Sequence, residues 1–187
     1  MSEGTAEERE LRTLMTQYQR ADSVALEELV RRLSPPLLRY FGASSFGRSD
    51  PEDLLQDCWL RIHRSRHTYR ASEPVLPWIY TIARRTRLDA YRKRRRLESR
   101  EVLVEKLPER VQHEVPDTGS EQEAVAGLIA GLPESQREVI VMLKVTGMSL
   151  EEVARATSST VGAVKQKAHR AYATLRRALS KDRENAR

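Results

Sequence analysis

The sequence predicts an all-α protein: two small helical domains joined by a flexible acidic linker. Almost every patterned stretch repeats its apolar residues at helical spacing, and no alternating run bounded by hairpin turns is found. The periodic stretches fall into two blocks, Leu11 to about Leu97 and about Glu121 to Lys181. Between them, LESREVLVEKLPERVQHEVPDTGSEQE holds two prolines, a glycine and eight acidic against three basic residues, with weak periodicity. The domains are therefore expected at 1–98 and 121–187, with the linker at 99–120.

In the first block a helix is expected from about Glu7 to Arg20 and a second from about Ser23 to Phe41. The third opens at Asp50-Pro51, an N-cap followed by proline at the first helical position. It gathers Leu54, Leu55, Cys58, Trp59 and Ile62 on one face and leaves Asp53, Gln56, Asp57, Leu60 and Arg61 off it. The fourth runs from near Pro77 to about Arg96, with Ile79, Ile82, Ala83, Thr86 and Ala90 inward and Tyr80, Arg84, Arg87 and Tyr91 on another face. In the second block Leu132-Pro133-Glu134 starts a helix that turns Val139, Ile140 and Leu143 inward and stops at Gly147. Ser149-Leu150-Glu151-Glu152 is a capping box opening a short helix, whose apolar residues are Leu150, Val153 and Ala154. After the turn Ala156-Thr157-Ser158-Ser159, the last helix buries Val161, Val164, Ala168, either Ala171 or Tyr172, and Leu175.

Bulk composition narrows the partners. The formal net charge of +6 favours a polyanion. Cys58 is the single cysteine, which excludes an intrachain disulfide and a cysteine-rich zinc site and fits a reducing cytoplasm. It lies on an apolar stripe and reads as a core residue. No run is long and apolar enough to span a membrane, and the acidic N-terminus does not read as a signal peptide. A membrane association would have to come through a partner. His169 has no second His or Cys at metal-ligand spacing, so no metal is expected, and no cofactor.

Two segments carry the charge chemistry. On the last helix the outward set is Gly162, Lys165, Gln166, His169, Arg170 and Ala173, with Lys167 on the flank and no acidic residue from Thr160 to Arg177. A helix laid across a shorter one, basic and amide side chains outward, can enter a major groove. There Arg and Lys reach guanine or phosphate and Gln pairs with adenine. Small Gly162 and Ala163 would let the helix end approach a phosphate, which its dipole favours. An ordinary helical hairpin with a solvated basic face is the plain alternative. The other segment, RRTRLDAYRKRRR from Arg84 to Arg96, has eight positive charges and one negative. Its arginines, with a rigid fork for phosphates, are interleaved with Tyr80 and Tyr91, and Tyr69 and Trp78 come just before. Aromatic platforms contribute about 1–3 kcal/mol per stacked base in single-stranded binding. The polar loop His67 to Pro74 could lodge an unstacked base, so opened DNA is expected here as well as duplex. Trp78 is equally suited to a core role.

Taken together, DPEDLLQDCWLRIHRSRHTY, PWIYTIARRTRLDAYRKRRR and LPESQREVIVMLKVTGMSLEEVARATSSTVGAVKQKAHRAYATLRR resemble the extracytoplasmic-function group of the sigma-70 family. The resemblance implies a sigma-2 domain, a linker and a sigma-4 domain. It implies a protein that is not an enzyme but binds core RNA polymerase, directs it to promoters and helps open them. By position, the helix from Glu52 to Arg64 matches the one that docks on the clamp helices of the polymerase largest subunit, which makes Asp53, Gln56, Asp57, Leu60 and Arg61 the candidate contacts. The loop from His67 to Val75, with Tyr69 and Arg70, matches the pocket for a flipped minus-ten base. Arg84, Arg85, Arg87, Leu88, Asp89 and Arg92 match the face toward the minus-ten strand. Arg85 stands where several relatives carry Asn, and Asp89 where polar amides occur, so the base preference departs from the common pattern. Thr160, Lys165, Gln166, Lys167, His169 and Arg170 match the face toward the minus-thirty-five element. The sigma-4 domain would also meet the flap of the second-largest subunit.

In this family the linker threads the RNA exit channel, and a segment of net charge −5 can imitate RNA there. Two weak DNA modules on one polymerase gain affinity through effective concentration. Relatives are silenced by an anti-sigma factor, and IHRSRHTY is similar to a subgroup whose anti-sigma factors are integral membrane proteins. The implied protein serves a stress regulon and waits at the inner membrane face. Two readings compete. A helix-turn-helix repressor or activator would need a dimer for paired half-sites, and no dimerisation helix is evident. A nuclease or recombinase would need clustered carboxylates or a placed nucleophile, whereas the acidic residues here lie mostly in the linker and on helix surfaces.

Overall fold

A helical hairpin opens the computed structural model, which describes residues 3–45, 49–101 and 127–185. The linker expected at 99–120 lies almost wholly outside the described residues. Helix α1 (Glu3–Gln19) and α2 (Ser23–Ser45) fold back on each other across a turn in which Ala21 takes a φ of 66°. Asp22 fixes the entry to α2, its Oδ1 accepting from the N–H groups of Val24 and Ala25 at 2.9 and 3.2 Å. Leu11, Met15 and Tyr18 on one side, and Leu29, Leu33 and Leu37 on the other, recur about one turn apart and are all buried. Pro35 and Pro36 sit inside α2. Each lacks the N–H that a carbonyl one turn back would receive, a local cost of about 3 kcal/mol by itself. The helix continues past them because Leu37, Tyr40 and Phe41 are buried against the bundle, and it ends a turn beyond the expected Phe41.

Helix α3 (Pro51–Ser65) forms as its capping signal predicts: Asp50 accepts from the Glu52 N–H at 2.9 Å, and Glu52 and Asp53 stand at the positive end of the helix dipole. Leu54, Cys58 and Ile62 are buried, and Trp59 Nε1 donates to Ser34 Oγ of α2 at 3.0 Å. A 3₁₀ turn (Arg66–Thr68) and a short loop lead into α4 (Val75–Glu101). Pro77 falls in its first turn, where no N–H is needed, so α4 starts two residues before the expected position.

In the second unit a helical turn at 127–130 precedes α5 (Glu134–Lys144). Arg137 of α5 donates to the carbonyls of Ile129, Ala130 and Leu132, closing the otherwise open end of that turn. Gly147, at a φ of 72°, reverses the chain after α5. Helix α6 (Leu150–Ala156) begins with the complete capping box: Ser149 Oγ accepts from Glu152 N–H at 3.2 Å, and Glu152 Oε2 accepts from Ser149 N–H at 2.7 Å. Helix α7 (Val161–Asn185) packs on α5 and α6 through Val164, Ala168 and Ala171. Ala171, not Tyr172, is the inward residue.

The two units are not separate bodies here. α5 lies on α2, α6 lies on α4, and one continuous buried cluster runs through both. This corrects the expected outer face of α4. Tyr80 is 1% exposed, edge-on to Tyr40 at 5.3 Å, and Arg87 is 7% exposed. The helix has a second buried side because another unit covers it.

Candidate nucleic-acid and polymerase interfaces

The helix-turn-helix places its expected residues outward. Lys165, Gln166, His169 and Arg170 are exposed on α7, Lys167 is half-buried, and Ala163 and Ala173 flank them. Ser158, at a φ of 52°, turns the chain between α6 and α7, and the Thr157 and Ser159 hydroxyls pair at 2.7 Å. Thr160 caps α7, its Oγ1 accepting from Ala163 N–H at 3.1 Å, so its hydroxyl has a structural task already. A Cβ at Gly162 would meet only Thr160 Oγ1, at 3.9 Å. Nothing within the chain requires glycine there, which leaves the helix end open to close approach from outside.

The α4 face is divided. Arg85 and Arg92 are exposed and Leu88 is half-buried. Arg84 and Arg87 are engaged by α5. Glu138 accepts from Arg84 Nε at 3.1 Å and from Arg87 Nη2 at 2.9 Å, and Glu134 accepts from Arg87 Nη1 at 2.8 Å. Burial works against the Arg87 charge, but Tyr40, Glu138 and the Glu134 hydrogen bond outweigh it and its pKa rises. Tyr40 lies beside this pair, and burial, then the Glu138 charge, pushes its phenol well above the ordinary range. The second unit also reaches α4 through Thr81 Oγ1, 3.5 Å from the Ala156 carbonyl, and reaches the preceding loop through Arg155, 3.4 Å from Glu73.

Expectations for the aromatic residues need correction. Tyr69 is not an open stacking platform: it is 4% exposed, tilted against Trp78 at 5.6 Å, with its hydroxyl donating to the Glu73 carbonyl at 2.7 Å. Burial first, then Glu8, pushes its phenol up to about 12. Arg70 is exposed on the same loop. Of the four aromatics, Tyr91 alone keeps a partly open ring beside the arginines, with Arg95 over it at 6.0 Å.

On α3, Asp53, Gln56 and Leu60 are exposed, and Leu60 at 50% is a large apolar side chain in water. Arg61 links helices: it donates to Asp57 at 3.1 Å and to Asp89 of α4 at 2.7 Å, and Asp89 also lies 3.6 Å from Arg92. The expected polymerase-facing and strand-facing sets thus meet at the Arg61–Asp89 pair, which sequence spacing did not reveal. Glu8 and Gln19 of α1, which hold the loop before α4, carried no local signal at all.

Comparison with known proteins gives this geometry a context. Residues 29–97 match Sigma-70 region 2 and residues 122–175 match Sigma-70, region 4. The chain is 31% identical over 173 residues to the ECF RNA polymerase sigma factor SigF of Caulobacter vibrioides, covering 91% of this chain and 94% of that protein. It is 34% identical over 168 residues to SigD of Mycobacterium tuberculosis, with 83% and 77% covered. Among solved structures, CnrH in complex with the cytosolic domain of CnrY has a TM-score of 0.71 at 24% identity, covering 92% of this chain and 99% of that one. The sigma factor RpoE of Bartonella quintana, in complex with the anti-sigma factor NepR, has a TM-score of 0.68 at 22% identity, covering 85% and 98%.

Proposed function

The chain belongs to the extracytoplasmic-function sigma factors of the sigma-70 family, and from that premise we propose how its surfaces divide the work of transcription initiation. α3 docks on core RNA polymerase through Asp53, Gln56, Asp57, Leu60 and Arg61. The loop after α3, with Arg70, and the face of α4, with Arg84, Arg85, Arg87 and Arg92, receive the opened minus-ten strand. Lys165, Gln166, Lys167, His169 and Arg170 of α7 enter the major groove at minus-thirty-five, where cations contact phosphate or guanine. Two departures follow from the geometry. Tyr69 serves by shaping the loop rather than by stacking, because its ring is already packed. Leu88 and Asp89 stand at the edge of the strand-facing surface, Asp89 held by Arg61.

The observation that carries this reading is the acid-free, outward set on α7, set on the scaffold of the capping-box helix. The arrangement adds a condition. Arg84 and Arg87 are covered by α5, so the strand reaches them only after the second unit leaves α4. Polymerase, by engaging both units at separate sites, supplies the force for that separation. An anti-sigma factor is the proposed negative regulator, supported by the complexes in which the two structures of like fold were solved. No helix among the described residues is long and apolar enough to cross a membrane, so a cytoplasmic protein held at the inner membrane face would be tethered by an integral membrane anti-sigma factor until a stress signal releases it.

Run-off transcription with bacterial core polymerase, on fragments of the source genome, tests the reading. New transcripts with shared upstream motifs are expected only when this protein is added. No transcripts, together with no binding to core, would refute it.

A further inference from the structure

The loop between α3 and α4 is held from behind by one helix at both of its ends. At the near end Gln19 Nε2 donates to the carbonyls of Arg66 and Tyr69, at 2.7 and 2.9 Å. At the far end Glu8 Oε1 accepts the N–H of Val75, the first residue of α4, at 2.8 Å. Glu8 and Gln19 both lie on α1, three turns apart on one face, a rise of about 16 Å. Between these two anchors the backbone has only its own turn, Glu73 N–H to Arg70 carbonyl at 2.9 Å, and the Tyr69 hydroxyl on Glu73. What projects into solvent is the run Arg70, Ala71, Ser72 and Glu73.

The anchors are chemically specific. The two Gln19 contacts need an amide donor facing two carbonyls, which a carboxylate of the same shape cannot supply. The Glu8 contact needs an acceptor at the start of a long helix, where the first N–H groups have no partner within the helix. Glu8 is retained there although its second oxygen is buried with no hydrogen-bond partner and burial raises its pKa. A charge is not needed for the contact itself; an amide oxygen would serve. The match to Sigma-70 region 2 begins at residue 29, so neither Glu8 nor Gln19 falls within it.

We propose that α1 is the template for base selection at minus-ten: Glu8 and Gln19 are positioning residues that fix both ends of the 66–75 loop and so set the shape its exposed tip offers to an unstacked base. The proposal rests on the reading of that loop as the minus-ten pocket. Neither residue touches DNA. Both act by holding backbone atoms.

The test uses the full chain with core polymerase and a promoter set carrying each of the four bases at each minus-ten position. Glu8→Ala and Gln19→Glu should lower the ratio between best and worst base about tenfold, the scale of one hydrogen bond to a charged group. Glu8→Gln should keep the ratio, because the amide oxygen still accepts from Val75. Hydrogen exchange on the free chain should show faster exchange confined to 66–75 in Glu8→Ala and Gln19→Glu, and none in Glu8→Gln. If both disruptive variants depress all promoters alike with the ratio intact, or if exchange rises throughout α1 and α2, the residues only support the fold and the proposal falls. Arg70→Ala separates the two levels. A changed ratio there, with none in the α1 variants, leaves the pocket standing and removes α1 from it. An unchanged ratio in all of them overturns the pocket and the template together.

Discussion

Replacing Glu138 by alanine should open the chain. Glu138 is the acceptor that both Arg84 and Arg87 share, and its side chain and that of Arg87 are 8% and 7% exposed. Removing one partner of a buried ion pair costs about 3–5 kcal/mol, because the other charge is left without compensation. Here Arg87 keeps Glu134, and Arg84 is partly solvated, so about 2 kcal/mol is the appropriate figure. That cost falls on the closed arrangement alone, since the pair joins α4 of the first unit to α5 of the second. A loss of about 2 kcal/mol shifts the closed-to-open ratio about 30-fold. The assay is fluorescence anisotropy of a single-stranded minus-ten oligonucleotide over a range of salt, with the radius of gyration measured in parallel. The variant should bind more tightly, by up to about 30-fold, and be more expanded. Two released guanidiniums should also steepen the salt dependence by about 0.7 for each phosphate they neutralise. An unchanged affinity and radius would show that the interface does not limit access. A tighter affinity with an unchanged salt slope would show that Arg84 and Arg87 are not the groups released.

The faces can be separated by paired variants: Lys165→Ala with Arg170→Ala should weaken promoter use and leave core affinity intact, whereas Asp53→Ala with Asp57→Ala should impair core binding first. Loss of core binding in the former pair, or none in the latter, would contradict the assignment. Ser149→Ala removes the acceptor of the capping box and should cost about 1 kcal/mol, seen as a lower thermal midpoint. An unshifted midpoint would mean that α6 is held by packing alone. The Cys58 thiol, pushed up to about 12 by burial first and by Asp57 next, should resist alkylation at pH 8 until the chain unfolds. The unfolded thiol loses its proton near its ordinary value of 9.0 while the folded one keeps it, so this group's contribution to stability is whole below 9 and is lost as pH rises toward about 12. Rapid labelling of the native chain at pH 8 would refute the buried placement.

Helix ends and stripes were legible because their causes are local. Asp50 and Ser149 cap the next backbone N–H groups, and the α3 stripe and the outward set on α7 follow from a fixed angle per residue. The extension of α2 past Pro35 and Pro36 was not legible, since packing of Leu37, Tyr40 and Phe41 overrides the local penalty. Nor was the second buried side of α4. An arginine beside a tyrosine reads as a solvated, anion-seeking face. Arg87 and Tyr80 are buried because α5, dozens of residues later, brings two carboxylates and an apolar surface onto that side. The loop before α4 shows the same limit: its sequence announces a turn, but its shape is set by Glu8 and Gln19 from the far end of the domain. By itself the sequence determined where helices form and which surfaces carry charge, because propensity, capping and periodicity act between neighbours. Only the tertiary structure decided which charges remain open to a partner, because a buried cation needs a counter-charge, and the fold alone brings one to it.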